Sequence, residues 1–189
     1  MAQKSSRIAP GDRVDVRHLD SVSSGPVMVP DPQGLTHLQF RRYAGCPICN
    51  LHLRSFGQRH GELVAAGVRE IAVFHSTTAA MAPYQDTLPF VLIADPQRIL
   101  YRQFGVDRSL RSIADPRAWS AVARGWNRHL PPQSDTGDGG HTGLPADFLI
   151  APGGRILACK YGSHANDQWS FDEVLDLARY HGVQLDRDV

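Results

Sequence analysis

Hydrophobic positions along the chain change between strand-like and helix-like spacing, in an order that predicts an α/β fold. Apolar runs within residues 68–76 and 89–95 are typical of buried parallel strands, and an alternating strand precedes them at 35–43. Helical spacing follows that first strand and predicts one helix that ends at Gly67, and two shorter helices are predicted at 79–84 and 99–106. Strands and helices that alternate in this way require a parallel arrangement joined by right-handed crossovers.

The two ends of the chain predict smaller elements around this central unit. Residues 1–12 are polar and expected to be flexible, and the apolar positions that follow them predict two short strands in a hairpin. Residues 144–162 predict a second β-hairpin around a Pro-Gly-Gly turn. Ser170 and Glu173 have the spacing of a capping box, so a final helix is expected to begin there and to end at Gly182.

The alternating strand that opens the central unit has one polar face. Leu38 and Phe40 point to one side of the strand, whereas His37, Gln39 and Arg41 point to the other. A parallel strand that is buried on both sides is normally more apolar than this. Two interpretations remain open: the polar face is partly covered by the chain itself, or it meets a partner.

Residues 107–143 interrupt the alternation and predict a helical insertion before the C-terminal hairpin, within one domain that spans 1–189. The insertion contains an amphipathic helix, and Arg117 and Arg124 lie away from its apolar stripe. The polar outer face of this helix either faces solvent or supplies an arginine to the active site. The aspartate-rich loop after the helix has Gly137 where a calcium loop needs an oxygen ligand, so no calcium site is predicted.

Composition excludes several classes of protein. The chain has 189 residues, a formal net charge of +1, 42% hydrophobic and 21% charged residues, which is typical of a globular domain and not of a nucleic-acid-binding protein. Its beginning lacks the apolar core of a signal peptide, and no apolar run is long enough to span a membrane. The 3 cysteines are an odd number. We therefore expect a cytoplasmic protein whose disulfide is catalytic and not structural.

Two of the cysteines lie where the first strand passes into a helix. Pro47 suits the first helical position, which places Cys46 at the N-cap and Cys49 in the first turn. The positive end of the helix dipole and the nearby Arg41 and Arg42 favour a thiolate, so we predict that Cys46 has the lower pKa of the two thiols. A spacing of three residues lets the two sulfurs form and break a disulfide, and this pattern indicates a thioredoxin-like redox motif.

The cysteine pair has other interpretations. Together with His52 it supplies only part of the four ligands that structural zinc requires. A haem attachment site needs histidine directly after the second cysteine, where the chain has Asn50. Two unreactive structural cysteines remain an alternative. Cys159 is expected to be an inert buried thiol, and His52 and His60 are expected to be solvated helix residues.

The chain resembles the peroxiredoxin-like branch of the alkyl hydroperoxide reductase/thiol-specific antioxidant (AhpC/TSA) superfamily. Three pieces carry the resemblance: the segment around the cysteines at 41–49, the strand and helix at 88–106, and the hairpin with the final helix at 143–178. The resemblance implies a thioredoxin-like α/β fold, with a central mixed β-sheet flanked by helices and a helical insertion before the C-terminal hairpin. It implies no metal and no bound organic cofactor.

The resemblance also implies roles for single residues. Cys46 resembles the peroxidatic cysteine and Pro47 the proline after it, Cys49 resembles the resolving cysteine, and Pro145 resembles the cis-proline of thioredoxin folds. The family usually carries threonine or serine where this chain has Tyr43, so the hydroxyl that orients the peroxide is absent or is replaced by a phenol. Family members usually have proline where this chain has Gln39. The arginine that accompanies the thiol is not fixed by a motif, and its candidates are Arg42, Arg117 and Arg124.

Three functions follow as hypotheses. The first is a peroxidase for hydrogen peroxide or organic hydroperoxides, reduced again by a thioredoxin- or glutaredoxin-type dithiol. The second is a thiol–disulfide oxidoreductase that acts on protein or glutathione disulfides. The third is a non-enzymatic redox-sensing or interaction module that uses the polar strand face. No nucleic acid or membrane partner is expected, and a homo-oligomer is left open.

Overall fold

A five-stranded mixed sheet with strand order β5-β4-β3-β6-β7 forms the centre of the computed structural model, which describes residues 7–106 and 137–187. Strands β3, β4 and β5 run parallel to one another, and β6 and β7 are antiparallel to their neighbours. A separate antiparallel hairpin is formed by β1 and β2. The strands are β1 (Arg17–Asp20), β2 (Pro26–Val29), β3 (Leu35–Phe40), β4 (Val68–Phe74), β5 (Val91–Ala94), β6 (Ala146–Ile150) and β7 (Ile156–Tyr161).

Helices cover both faces of this sheet. They are α1 (Pro47–Gln58), α2 (His60–Ala65), α3 (Thr78–Gln85), α4 (Ile99–Gln103) and α5 (Phe171–Arg187), with a short 3₁₀ segment at Gly137–Thr142. The predicted α/β fold and both predicted hairpins are confirmed. The predicted insertion lies mostly outside the described residues. Within them, no helix is long and apolar enough to cross a bilayer.

Two hydrophobic clusters lie on opposite faces of the sheet. One packs α1, α3 and α5 against the sheet, and the other packs the N-terminal hairpin and α4 against its other face. Leu38 and Phe40 belong to the second cluster, as strand alternation predicts. The polar side chains of β3 point to the first, and His37 and Gln39 are completely buried there. The interpretation of this face as a partner surface is therefore wrong, because the chain covers the face itself.

Two helix boundaries differ from the predictions. The helix that follows the cysteines is interrupted at Arg59, whose backbone leaves the helical region at φ −113°, ψ 14°. The final helix does not end at Gly182 but continues to Arg187. Glycine costs about 0.5–1 kcal/mol relative to alanine inside a helix, which is too little to end a helix without help. The predicted capping box is present, since Ser170 Oγ accepts from the Glu173 N–H at 3.3 Å and Glu173 accepts from the Ser170 N–H at 2.7 Å.

Candidate active site

The turn between β3 and α1 places Cys46 at the amino end of the helix. Gly45 has φ +83°, a left-handed value that glycine adopts at little cost, and Cys46 follows as the N-cap with Pro47 at the first helical position. The Cys46 N–H donates to the Tyr43 carbonyl at 3.1 Å, and the Ala44 N–H donates to Ser76 Oγ at 2.9 Å. These two hydrogen bonds hold the backbone of the turn at Ala44 and at Cys46, so the position of the thiol does not depend on contacts of the Cys46 side chain.

Both thiols of the pair are free and buried, with 0% exposure for Cys46 and 1% for Cys49. A hydrogen bond from Cys49 is the main reason that the pKa of Cys46 is lowered to about 6, since the charge of Arg42 and backbone N–H groups add to it and together they outweigh burial. Burial and the adjacent Cys46 raise the pKa of Cys49 well above its usual value. The order of acidity agrees with the sequence prediction, although its largest cause is the partner thiol and not an arginine.

Arg42 is the arginine that contacts the thiol. Its Nη1 donates to Cys46 Sγ at 3.7 Å, and its Nη2 donates to the carbonyl of His141. The side chain is only 6% exposed, and among the described residues its Nε has no hydrogen-bond acceptor within reach. Within the part of the chain that the structure describes, this buried N–H donor is unused, and it belongs to a side chain that contacts the thiol, so an incoming oxygen could accept from it. Arg117 and Arg124, the other candidates, lie outside the described residues.

Tyr43 lies half-buried next to Arg42, whose guanidinium carbon is 5.4 Å from the centre of the tyrosine ring. Burial and the charge of Cys46 raise the pKa of Tyr43 to about 12, so the phenol keeps its proton at neutral pH. Its ring meets the His141 ring edge to face, with the centroids 4.8 Å apart. The phenol of Tyr43, at the position where the family usually carries a small hydroxyl, therefore contacts both the His141 ring and the Arg42 guanidinium.

Pro145 lies at the end of the sheet where the cysteines are, because it directly precedes Ala146, the partner of Phe40 in the β3–β6 pair. The prediction of a cis Leu144–Pro145 bond is wrong, since Val29–Pro30 is the only cis bond in the described part of the chain. The trans form is favoured by about 0.5–1 kcal/mol at X–Pro bonds. The Pro145 carbonyl accepts from the Gly162 N–H at 2.9 Å.

Two histidines that contact Arg42 or Tyr43 were not predicted from the sequence. His75 follows β4 directly and is fully buried, and a Cβ on Gly143 would lie 2.7 Å from its Nε2. Functional groups are common at the carboxyl ends of parallel strands, so the position of His75 directly after β4 could have identified it as a candidate site residue. His141 had no such signal, because it lies in a segment whose composition predicts only a loop.

A cluster of buried charges lies on the polar face of β3. His37 Nδ1 is 2.7 Å from Glu70 and its Nε2 is 3.3 Å from Asp147, while Arg41 donates to Asp147 at 2.6 Å. All four side chains are buried. Arg41 is thus engaged in this cluster and does not contact Cys46, contrary to the expectation that both arginines act on the thiol. The described residues contain no group of histidine, cysteine and carboxylate side chains arranged to hold a metal ion.

The sheet, the capping thiol and its partner within one helical turn define a thioredoxin-like thiol redox protein. Its fold is similar to that of peroxidoxin BcpB from Mycobacterium tuberculosis, with a TM-score of 0.67, 17% identity, and coverage of 92% of this chain and 98% of the other. A cysteine-to-serine mutant of peroxiredoxin 6 from Arenicola marina gives a TM-score of 0.69 at 18% identity, over 94% of this chain and 75% of the other.

A further similar structure is named for a different activity. The putative thiol:disulfide interchange protein DsbE from Chlorobium tepidum matches with a TM-score of 0.60 and 18% identity, over 94% of this chain and 99% of the other. Identities this low show the shared fold alone. No curated protein matches the sequence.

The family model for the AhpC/TSA antioxidant enzymes matches residues 55–164, which is more than half of the chain. The chain belongs to this family, and the class that its membership defines is a thiol-dependent redox enzyme, a peroxidase or oxidoreductase. The matched region begins after both Cys46 and Cys49. The assignment of roles to these two thiols therefore rests on the geometry of the site and not on the family match.

Proposed function

We propose that the protein is a thiol-dependent peroxidase that uses Cys46 as its nucleophile and Cys49 to resolve the product. The observation that carries the proposal is the environment of Cys46, a fully buried thiol with a pKa of about 6 that contacts Arg42 and accepts a hydrogen bond from Cys49. At neutral pH such a thiol is largely thiolate, which is the nucleophilic form.

The chemistry proceeds in two steps at this site. The Cys46 thiolate attacks one oxygen of the peroxide, the O–O bond breaks, and the second oxygen leaves as an alcohol or water after it takes a proton, so that Cys46 becomes a sulfenic acid. Cys49 then attacks the Cys46 sulfur, a disulfide forms and water leaves. An external dithiol of the thioredoxin or glutaredoxin type supplies the two electrons and two protons that restore both thiols.

Arg42 and Tyr43 supply the groups that would hold the peroxide. The Nε–H of Arg42, which has no acceptor among residues 7–106 and 137–187, is a charged donor, and the phenol of Tyr43 keeps its proton at neutral pH. A charged donor near the leaving oxygen stabilises the negative charge that develops as the O–O bond breaks. We assign to Tyr43 the donor role that a threonine or serine has in typical family members, and to Pro47 and Pro145 the shaping of the turn and of its neighbouring segment.

Thiol–disulfide exchange with a protein disulfide is the competing function. It requires the oxidising disulfide itself to reach Cys46, and the complete burial of both thiols means that this first step, like the later reduction by an external dithiol, needs a local opening of the site. A peroxide is small enough to reach a buried thiol with less rearrangement. A cytoplasmic location and self-association belong to this proposal as expectations drawn from the cysteine usage and the family.

The test follows oxidation of the reduced protein by hydrogen peroxide, with the disulfides mapped by mass spectrometry. Cys46→Ser should abolish fast oxidation, and Cys49→Ser should stop the reaction at the sulfenic acid. Cys159→Ser is the matched control, because that thiol lies away from the pair and burial raises its pKa, and its loss should change nothing. Oxidation as slow as that of a free thiol, together with fast exchange with a model disulfide, would replace the proposal with the oxidoreductase.

A further inference from the structure

His52 connects the helix of the thiols to the buried charge cluster. It lies in the second turn of α1, and its Nε2 is 3.0 Å from Nη2 of Arg41. A guanidinium can only donate, so Nε2 must be the acceptor, and the neutral ring carries its proton on Nδ1. Burial and the charge of Arg41 lower the pKa of His52 well below its usual value, so the ring stays a neutral acceptor at neutral pH.

Arg41, the residue that donates to His52, is itself held in place by several hydrogen bonds. Arg41 is completely buried and also donates to the side chains of Gln39 and Asp147 and to the carbonyl of Phe40. Asp147 accepts in addition from the Trp169 N–H at 3.2 Å. The bond from Arg41 therefore connects α1 to β3, to β6 and to the segment that precedes α5.

Such a cluster calls for an explanation beyond stability. Removing charges from water costs several kcal/mol per ion, and buried ion pairs are often no more stable than well-packed apolar residues of the same volume. The sheet face carries apolar packing around the cluster, including Phe56 and Phe171. What the charges add is a directional contact: Arg41 holds the second turn of α1 at one place through its bond to His52.

The first turn of the same helix needs such support. The two thiols are free in this structure, and a disulfide requires their sulfurs to approach to about 2.05 Å. The residues from Cys46 to Cys49 must therefore move relative to one another during each redox cycle. Reactions between groups on one chain are fast only when the chain holds those groups close together in the correct orientation.

We propose that His52 is a positioning residue for the thiol pair, which holds the second turn of α1 on the Arg41–Asp147 support while the first turn changes between dithiol and disulfide. This role concerns the same pair as the proposed function and rests on the pairing of Cys46 with Cys49, but not on the identity of the oxidant. Loss of the bond should make the two sulfurs meet less often and so disfavour the disulfide.

The test measures the equilibrium between dithiol and disulfide in mixtures of reduced and oxidised dithiothreitol, in a background that carries Cys159→Ser. His52→Leu removes the acceptor, His52→Gln keeps an oxygen that can accept from Arg41, and Gln58→Leu changes an exposed position of the same helix as a control. We expect His52→Leu to shift the equilibrium toward the dithiol by about tenfold, which corresponds to about 1.4 kcal/mol. His52→Gln should restore most of the shift, and Gln58→Leu should cause none.

Unfolding by urea is measured on the same variants, because a purely structural role predicts a different result. If His52→Leu lowers stability but leaves the dithiol–disulfide equilibrium within about twofold of the parent, the positioning role is refuted. An equal shift in the Leu and Gln variants would also refute it, since the acceptor would then be irrelevant. The equilibrium needs no peroxide, so a parent protein that fails to react with peroxide would refute the proposed function and leave this test intact.

Discussion

Replacement of Arg41 by methionine tests whether the buried charge cluster behaves as one compensated unit. Methionine has a similar length and no charge, so Arg41→Met removes the cation while it keeps much of the side-chain volume. The 2.6 Å ion pair between Asp147 and Arg41 would be lost, and Asp147 would keep His37, at 3.3 Å, as its charged partner. Gln39 and His52 would each lose the donor that they now accept from.

The size of the effect follows from complete burial. The side chains of Arg41 and Asp147 are both 0% exposed, so solvent cannot compensate for the lost partner. Removal of one partner from a buried ion pair costs about 3–5 kcal/mol. In a domain of this size, 1 kcal/mol lowers the melting temperature by about 2–4 °C, so a decrease of about 6–20 °C is expected.

The assay is urea unfolding at pH 7, followed by circular dichroism, with the melting temperature as a second measure. Arg69→Met is the matched control, because Arg69 pairs with Asp31 at 3.0 Å but its side chain is 36% exposed. Partly exposed pairs contribute about 0–1 kcal/mol, so this variant should lose little. The double variant Arg41→Met, Asp147→Asn removes the uncompensated carboxylate and should recover part of the loss.

Two results would refute the reasoning about the cluster. A loss below about 1 kcal/mol in Arg41→Met would mean that water or a neighbouring group replaces the guanidinium, as at a surface pair. A double variant less stable than Arg41→Met would mean that the cost arises from lost packing and not from an unpaired carboxylate.

Three further changes have defined outcomes. Burial lowers the pKa of His37, but Glu70 and Asp147 raise it to about 9. The folded state is therefore stabilised by about 3 kcal/mol below pH 6.5, and this stabilisation disappears as the pH rises through 9. Urea unfolding from pH 6 to 10 measures the stabilisation, and a flat profile would contradict it. Arg42→Met should raise the pKa of Cys46, because the charge of Arg42 favours the thiolate, and alkylation rates measured against pH would detect the change. Ser170→Ala should cost about 1 kcal/mol of unfolding free energy through the lost helix cap, and an unchanged urea midpoint would argue against that cap.

Most of the fold could be predicted from the sequence, because its signals are local. Apolar runs, the turn residues and the capping box at Ser170 identify the strands and helices without knowledge of their neighbours. The errors occur where a non-local contact decides. Gly182 carries a helix-ending residue type in a helix that continues past it, and the Leu144–Pro145 bond is trans where a general feature of the fold suggested cis.

The site was predictable only in part, for the same reason. The positions of Cys46, Cys49 and Pro47 follow from the order of strand, turn and helix. The arginine at the thiol could not be chosen from the sequence, since Arg41 and Arg42 are adjacent and only the folded chain separates their partners. The sequence also does not show which residues contact the polar face of β3, because Asp147 lies 106 residues from Arg41.

The charges of the buried cluster determine which groups control the thiol. Glu70 and Asp147 each contact His37, whose pKa is about 9, and Asp147 also pairs with Arg41, so the cluster contains equal numbers of carboxyl groups and cationic side chains, while His52 stays neutral. A cluster without net charge exerts little long-range field on the thiols. The acidity of Cys46 must then come from its own neighbours, Cys49 and Arg42. The cluster therefore affects the thiols through the position of α1, whereas the charge beside Cys46 is supplied separately by Arg42.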